Sequence, residues 1–211
     1  MKVFLYFILI MVLVAAFIFV LYTLRLYKHD KNSKMILKYG KKTEKLVSKL
    51  LKEVFGGRNL YVNILLPYLR SKGTKYAEID DLIITKAGIF VIEVKGQKGH
   101  ITNGSGERWI QQKNYNITEF YNPFMQNETH IQILREILQK ENIHSVPIYN
   151  IVVFVSNEVT FQYKRNLPLS PEEMIKFIKD KNVNRFLNPV EISNIKKVLK
   201  KYAKKKKPNG K

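Results

Sequence analysis

Two short apolar runs, Leu82-Ile83-Ile84 and Ile89-Phe90-Val91-Ile92, constrain this chain more than any other stretch. Both are rich in β-branched or aromatic residues and of strand length. They flank Thr85-Lys86-Ala87-Gly88, where Gly88 can take the positive φ that a tight hairpin needs. The pattern predicts two buried antiparallel strands. Asp80 and Asp81 then open the first strand, and Glu93, Val94 and Lys95 close the second, so folding the hairpin brings acid beside acid. Glu93 and Lys95, two apart, share a face. If Thr85 pairs with Gly88, Asp80 falls opposite Glu93; a one-residue bulge at Gly88 puts Asp81 there instead. The residues alone leave both registers open.

Carboxylates gathered at the end of an apolar hairpin are costly, because an unpaired buried anion costs several kcal/mol. A hard divalent cation held by oxygens, with a water kept for chemistry, is one natural compensator. The alternative is that Glu93 and Lys95 form a solvated, salt-bridged strand end. What weighs against that alternative is the whole spacing: an acid, twelve residues that build a hairpin, then Glu-Val-Lys.

Ile79-Asp80, that spacing, Glu93-Val94-Lys95, then Gly99, Trp109 and the string Tyr121-Asn122-Pro123-Phe124-Met125-Gln126-Asn127 occur in an order that resembles the nuclease-related domain (NERD), a branch of the PD-(D/E)XK nuclease superfamily. The resemblance covers about Gly40 to Ser156. It implies a restriction-endonuclease-like α/β fold, a mixed sheet flanked by helices. It also implies metal-site acids at Asp80 and Glu93, a lysine at Lys95, a first-helix acid at Glu44 and a glutamine at Gln126. Two positions depart from the family pattern: Thr43 replaces the glycine before Glu44, and Asp81 stands where the family often has histidine.

Charge narrows the partners. The chain carries a formal net charge of +20, and no acid lies between Lys196 and Lys211. Nucleic acid or anionic lipid suits such a chain; an acidic partner suits it less. Cysteine is absent and only four histidines are scattered along the sequence, so neither a thiolate nor a histidine-built metal site is expected.

Val3 to Leu24 is uncharged over 22 residues, about 33 Å as a helix, which matches a bilayer core. Arg25, Lys28, Lys31 and Lys34 follow it, so the positive-inside rule predicts a single-pass anchor in the cell membrane with the C-terminal bulk in the cytoplasm. The apolar run lacks the small residues at its far end that signal-peptide cleavage would need. The expected organisation is an anchor over 1–25, a basic linker or helical ramp over 26–39, the nuclease-like domain over 40–160, C-terminal helices over 161–203 and a polybasic tail over 204–211.

Within the domain, Leu46, Val47, Leu50, Leu51, Val54 and Phe55 recur at helical spacing from Thr43 to Phe55, and Gly56-Gly57 ends the helix. Taken alone, Glu44 reads as an acid favoured by the helix dipole. Leu60 to Leu66 reads as a strand stopped by Pro67, Ser71 to Lys75 as a loop, and Arg108 to Gln112 as a strand whose Trp109 belongs to the core rather than to base stacking. Phe124 to Lys140 reads as a helix with Gln126 and His130 one turn apart, and Ile148 to Val155 as a core strand. Ser170-Pro171-Glu172-Glu173 and Asn188-Pro189-Val190-Glu191 read as two capping-box helix starts.

The expectation is Mg²⁺-dependent hydrolysis of phosphodiester bonds, with Mn²⁺ as a substitute and DNA favoured over RNA. Asp80, Glu93 and the Val94 carbonyl would bind the metal. Lys95 would hold water or developing negative charge, Glu44 would support a second metal or orient water, and Gln126 would position substrate. Two alternatives stand beside it. One is a membrane-tethered nucleic-acid-binding module without turnover; the other makes the Lys196–Lys211 tail a clamp on anionic lipid. Oligomeric state is not legible.

Overall fold

The computed structural model describes residues 2–71, 73–163, 167–184 and 186–206, with the side chains of 2–10, 12, 13, 16, 26 and 28–37 outside the description. The chain divides into two compact units, Met1–Lys42 and Thr43–Lys211.

Helix α1 runs over Lys2–Phe55, so the stretch read as a linker or ramp is helical. The apolar run Val3–Leu24 lies within it. Its described side chains, among them Phe17, Ile18, Phe19 and Leu21, are exposed. Among the described residues no helix is long and apolar enough to cross a membrane, and many side chains of the expected anchor lie outside the description. The structure therefore lends the bilayer-spanning segment no support.

The second unit is a mixed α/β domain. After α1 come β1 (Leu60–Arg70), β2 (Gly73–Thr85), β3 (Gly88–Lys95), β4 (Gly99–Thr102), β5 (Arg108–Lys113) and β6 (Asn116–Tyr121). Then follow α2 (Pro123–Lys140), β7 (Ile148–Phe154), β8 (Val159–Phe161), α3 (Pro171–Lys181), α4 (Pro189–Tyr202) and β9 (Lys204–Lys205). Two mixed sheets form where one was expected: a five-stranded sheet ordered β7-β3-β2-β1-β9 and a four-stranded sheet ordered β6-β5-β4-β8. Parallel pairing joins β3 to β7 and β4 to β8; the other pairs are antiparallel.

Burial on both faces explains the unbroken apolar runs of β2 and β3. Leu82, Ile84, Ile89 and Val91 pack against Ile131, Leu134 and Leu138 of α2 and Ile195 and Leu199 of α4. Ile83, Phe90 and Ile92 pack on the opposite face against Val47 and Leu51 of α1 and Met174 and Ile178 of α3. Trp109 is core, as its lone position in a strand suggested. It is 1% exposed, packs beside Phe154, and its Nε1 donates to the Gly104 carbonyl at 2.8 Å.

Several boundaries differ from expectation. Pro67 does not stop β1, because β9 pairs only with Ile64 and Leu65 and leaves the Pro67 stretch of β1 without a second ladder to break. Residues 73–75, read as loop, belong to β2 and pair with Tyr68, Leu69 and Arg70. The short strands β6 and β8 were not expected. The tail begins as structure: Lys204 and Lys205 form β9, and residues 207–211 lie outside the described residues. Both predicted capping boxes are present, at Ser170/Glu173 and Asn188/Glu191.

Candidate active site

The hairpin closes as Thr85 opposite Gly88, with Asp81 opposite Ile92 as the last pair, so Asp80 is the acid that meets Glu93. Gly88 has φ 138°, and a Cβ there would stand 2.3 Å from the Pro147 carbonyl oxygen, so no larger residue fits this turn.

A bend in β1 and β2 then separates the two aspartates. The β1–β2 ladder pairs Val62 with Asp81 and Ile64 with Ile79 but skips Asn63 and Asp80, and Asn63 has φ 49°. In a regular strand Ile79 and Ile83 would share a face. Here Ile79 packs in the layer of Leu82 and Ile84, while Ile83 packs in the opposite layer, so β2 changes face around Asp80 and Asp81. Asp80 Oδ2 accepts the Val94 backbone N–H at 2.9 Å, just past the end of the β2–β3 ladder. Asp81 turns to α1, where its Oδ1 accepts the Ser48 hydroxyl at 2.7 Å.

Glu93 is 3% exposed. Its Oε1 accepts from Lys95 Nζ at 2.6 Å, and Lys95 also donates to Gln126 Oε1 at 3.1 Å. His130, one turn along α2 from Gln126, places Nδ1 3.9 Å from Glu93 Oε2.

Helix α2 holds this group through Asn122 and Asn127. Asn122 caps it, its side chain accepting from the Phe124 N–H, with Pro123 in the first turn. Asn127 is fully buried, and its Nδ2 donates to the Val91 carbonyl at 2.8 Å and reaches the Ile151 carbonyl at 3.1 Å. The helix is thus pinned across β3 and β7, with Gln126 and His130 facing Glu93 and Lys95.

Electrostatics mark the site as under-compensated. Burial, then the neighbouring Glu93 charge, hold the Asp80 carboxyl well above the usual carboxylate range; Glu44 adds to this, while the Val94 N–H and Lys95 oppose it. Burial also raises Glu93, with Lys95 and Gln126 opposing and Glu44 adding. Burial raises Asp81 to about 7 against the Ser48 hydrogen bond. Burial and then the Lys95 charge lower His130 to about 4, so it is neutral near pH 7.

Asp80, Glu93, Lys95 and Gln126 are therefore gathered in one place, and the Glu44 charge reaches both site carboxylates from α1. Val94 contributes its N–H. Ser48 and His130 were not among the expected site residues. Each lies four residues beyond one that was, Glu44 and Gln126, and that one-turn spacing was the available signal.

An oxygen-only pair of buried, mutually repelling carboxylates fits Mg²⁺, which is commonly held by one or two carboxylates together with waters and substrate phosphate. Among the described residues no group of three or more His, Asp or Glu side chains stands close enough to hold a metal ion unaided.

A model of the nuclease-related domain matches residues 39–155. An uncharacterized protein of Bacillus anthracis is 29% identical over 103 residues, 48% of this chain and 48% of that protein. The chain thus spans about half the length of the curated relative it matches. No solved structure gives a significant match.

Proposed function

The chain belongs to the nuclease-related domain family, and from that premise we propose that it is a metal-dependent nuclease hydrolysing phosphodiester bonds of nucleic acid, DNA in preference to RNA. The observation that carries this reading is the meeting of Asp80 and Glu93 beyond the last β2–β3 pair, beside Lys95 and Gln126. The restriction-endonuclease-like character of the fold is part of the same reading.

Asp80, Glu93 and the Val94 carbonyl would hold Mg²⁺, or Mn²⁺ in its place. When bound, the ion supplies Lewis-acid polarisation of the phosphate and a more acidic water. Lys95, oriented by Glu93 and Gln126, sets an ammonium beside the site to balance charge developing on the phosphate. Gln126 positions substrate through its amide. Glu44 orients a water or supports a second ion. His130, neutral near pH 7, is a hydrogen-bonding group rather than a cation.

Nicking of supercoiled plasmid DNA by the full-length chain should require Mg²⁺ or Mn²⁺ and vanish in Asp80→Ala and Glu93→Ala. A second reading, a nucleic-acid-binding module without turnover, is favoured by the formal net charge of +20, which suits a polyanion whether or not it is cleaved. Salt-sensitive DNA binding with no nicking under any divalent ion would establish that second reading. The proposal also includes a membrane anchor over Val3–Leu24, with the domain in the cytoplasm.

A further inference from the structure

Beyond the family-matched region the chain adds α4 and β9, and between them and β1 lies an open groove of about 1000 Å³. Six cations line it: Arg58, Lys196, Lys197, Lys200, Lys205 and Lys206. No Asp or Glu is among the lining residues. Tyr61 and Ile192 give it an apolar floor.

The lysines divide by face. On the far side of α4, Lys201 is neutralised by Glu141 at 2.7 Å. Within the groove, Lys206 pairs with Glu78 and Lys196 donates to Asn59, but Lys197, Lys200 and Lys205 are exposed and enter no ion pair among the described residues. Lys196 and Lys200, four apart on one helix, repel, and a bound polyanion would relieve that repulsion.

The groove borders the strand bend beside the candidate active site. Asn63 lines it, and Asn63 is the β1 residue that the ladder skips opposite Asp80. The β1 half of the bend, Val62 to Ile64, thus lines the groove, one strand away from Asp80. The Lys206 N–H donates to the Asn63 carbonyl at 3.1 Å, tying the cationic strand to that bend.

We propose that this groove is a track for the phosphodiester backbone of nucleic acid running to or from the site at Asp80 and Glu93. The proposal rests on the nuclease or nucleic-acid-binding reading of that site and adds where the strand lies. The 14 residues of α4 extend about 21 Å, room for about six phosphates of one strand in a duplex. A lipid surface is flat on this scale and would meet the lysine tips while leaving the floor unfilled.

The test uses the full-length chain in neutral maltoside micelles, with EDTA to silence cleavage, and measures binding of a fluorescent DNA duplex against salt. Changing Lys197, Lys200 and Lys205 together to Ala, a residue that favours the exposed helix positions 197 and 200, should weaken binding and make the slope of log affinity against log salt shallower by about 2 to 3. Changing the same three to Arg should restore the slope, and Lys201→Ala should leave it unchanged. An unaltered slope in the triple Ala variant, or no DNA binding by the parent chain, overturns the proposal. If the triple Ala variant does not fold, lysine acetylation of the parent chain decides. Protection of Lys197, Lys200 and Lys205 by DNA supports the track. Protection only when phosphatidylglycerol is added to the micelles makes the groove a lipid surface and overturns it. Binding that follows these expectations without Mg²⁺-dependent nicking leaves the track standing and removes the nuclease.

Discussion

Asp80 and Asp81 are neighbours with opposite surroundings, and the difference is set by a single bend. Asp80 is turned toward Glu93 and the Val94 N–H, while Asp81 is sealed against Ser48 and α1. Sealing has a thermodynamic signature. Asp81 titrates at about 7 against an ordinary 3.8, so the folded chain retains a proton that the unfolded chain releases, and stability falls as pH rises across that interval. Asp80 and Glu93, also raised, act in the same direction. His130, lowered from 6.5 to about 4, acts oppositely: the unfolded chain carries a proton the folded one lacks, so stability rises between those values. Three carboxylates outweigh one imidazole, so metal-free protein should melt at a higher temperature near pH 5 than near pH 8. Asp81→Asn keeps an oxygen for the Ser48 hydroxyl and should flatten that slope. A melting temperature that climbs from pH 5 to pH 8 in EDTA would contradict the assignment of buried, under-compensated acids.

Among the elements, α4 has a weight that its place outside the family match does not suggest. Ile195, Val198 and Leu199 enter the same core layer as Leu82, Ile84 and the apolar face of α2. Burying three such side chains contributes about 5–9 kcal/mol at roughly 1.5–3 each, comparable to the whole stability of a domain, about 5–15 kcal/mol. A chain ending at Leu187 should therefore lose its cooperative urea transition, followed by tryptophan fluorescence of Trp109. Retention of the full-length midpoint would show that α4 is dispensable. The capping boxes of α3 and α4 were legible because the cap chemistry is local, a side-chain oxygen facing N–H groups two or three residues on. Strand β1 was misread because the effect of Pro67 depends on whether a neighbour pairs on its side, which is a property of the sheet.

At the scale of the whole molecule, the domain over Thr43–Lys211 and the helical unit over Met1–Lys42 pose separate questions. If Val3–Leu24 anchors the protein, alkaline carbonate should leave the full-length chain in the membrane pellet and release a chain beginning at Thr43; release of both would remove the anchor. By itself the sequence determined the hairpin, its turn at Gly88 and the gathering of Asp80 or Asp81 with Glu93 and Lys95 at its open end, because β-branched runs, a glycine turn and fixed spacings act over a few residues; Glu44 and Gln126 became candidates only through the family resemblance. Tertiary structure alone decided which aspartate meets Glu93, because the register depends on a turn geometry that spacing leaves open and the change of face depends on Asn63 from another strand. It alone brought His130 and Ser48 to the acids, and it alone set the lysines of α4 and β9 beside the bend at Asn63. Those juxtapositions join residues tens of positions apart or more, and only the packing of helices on both faces of the sheet brings them together.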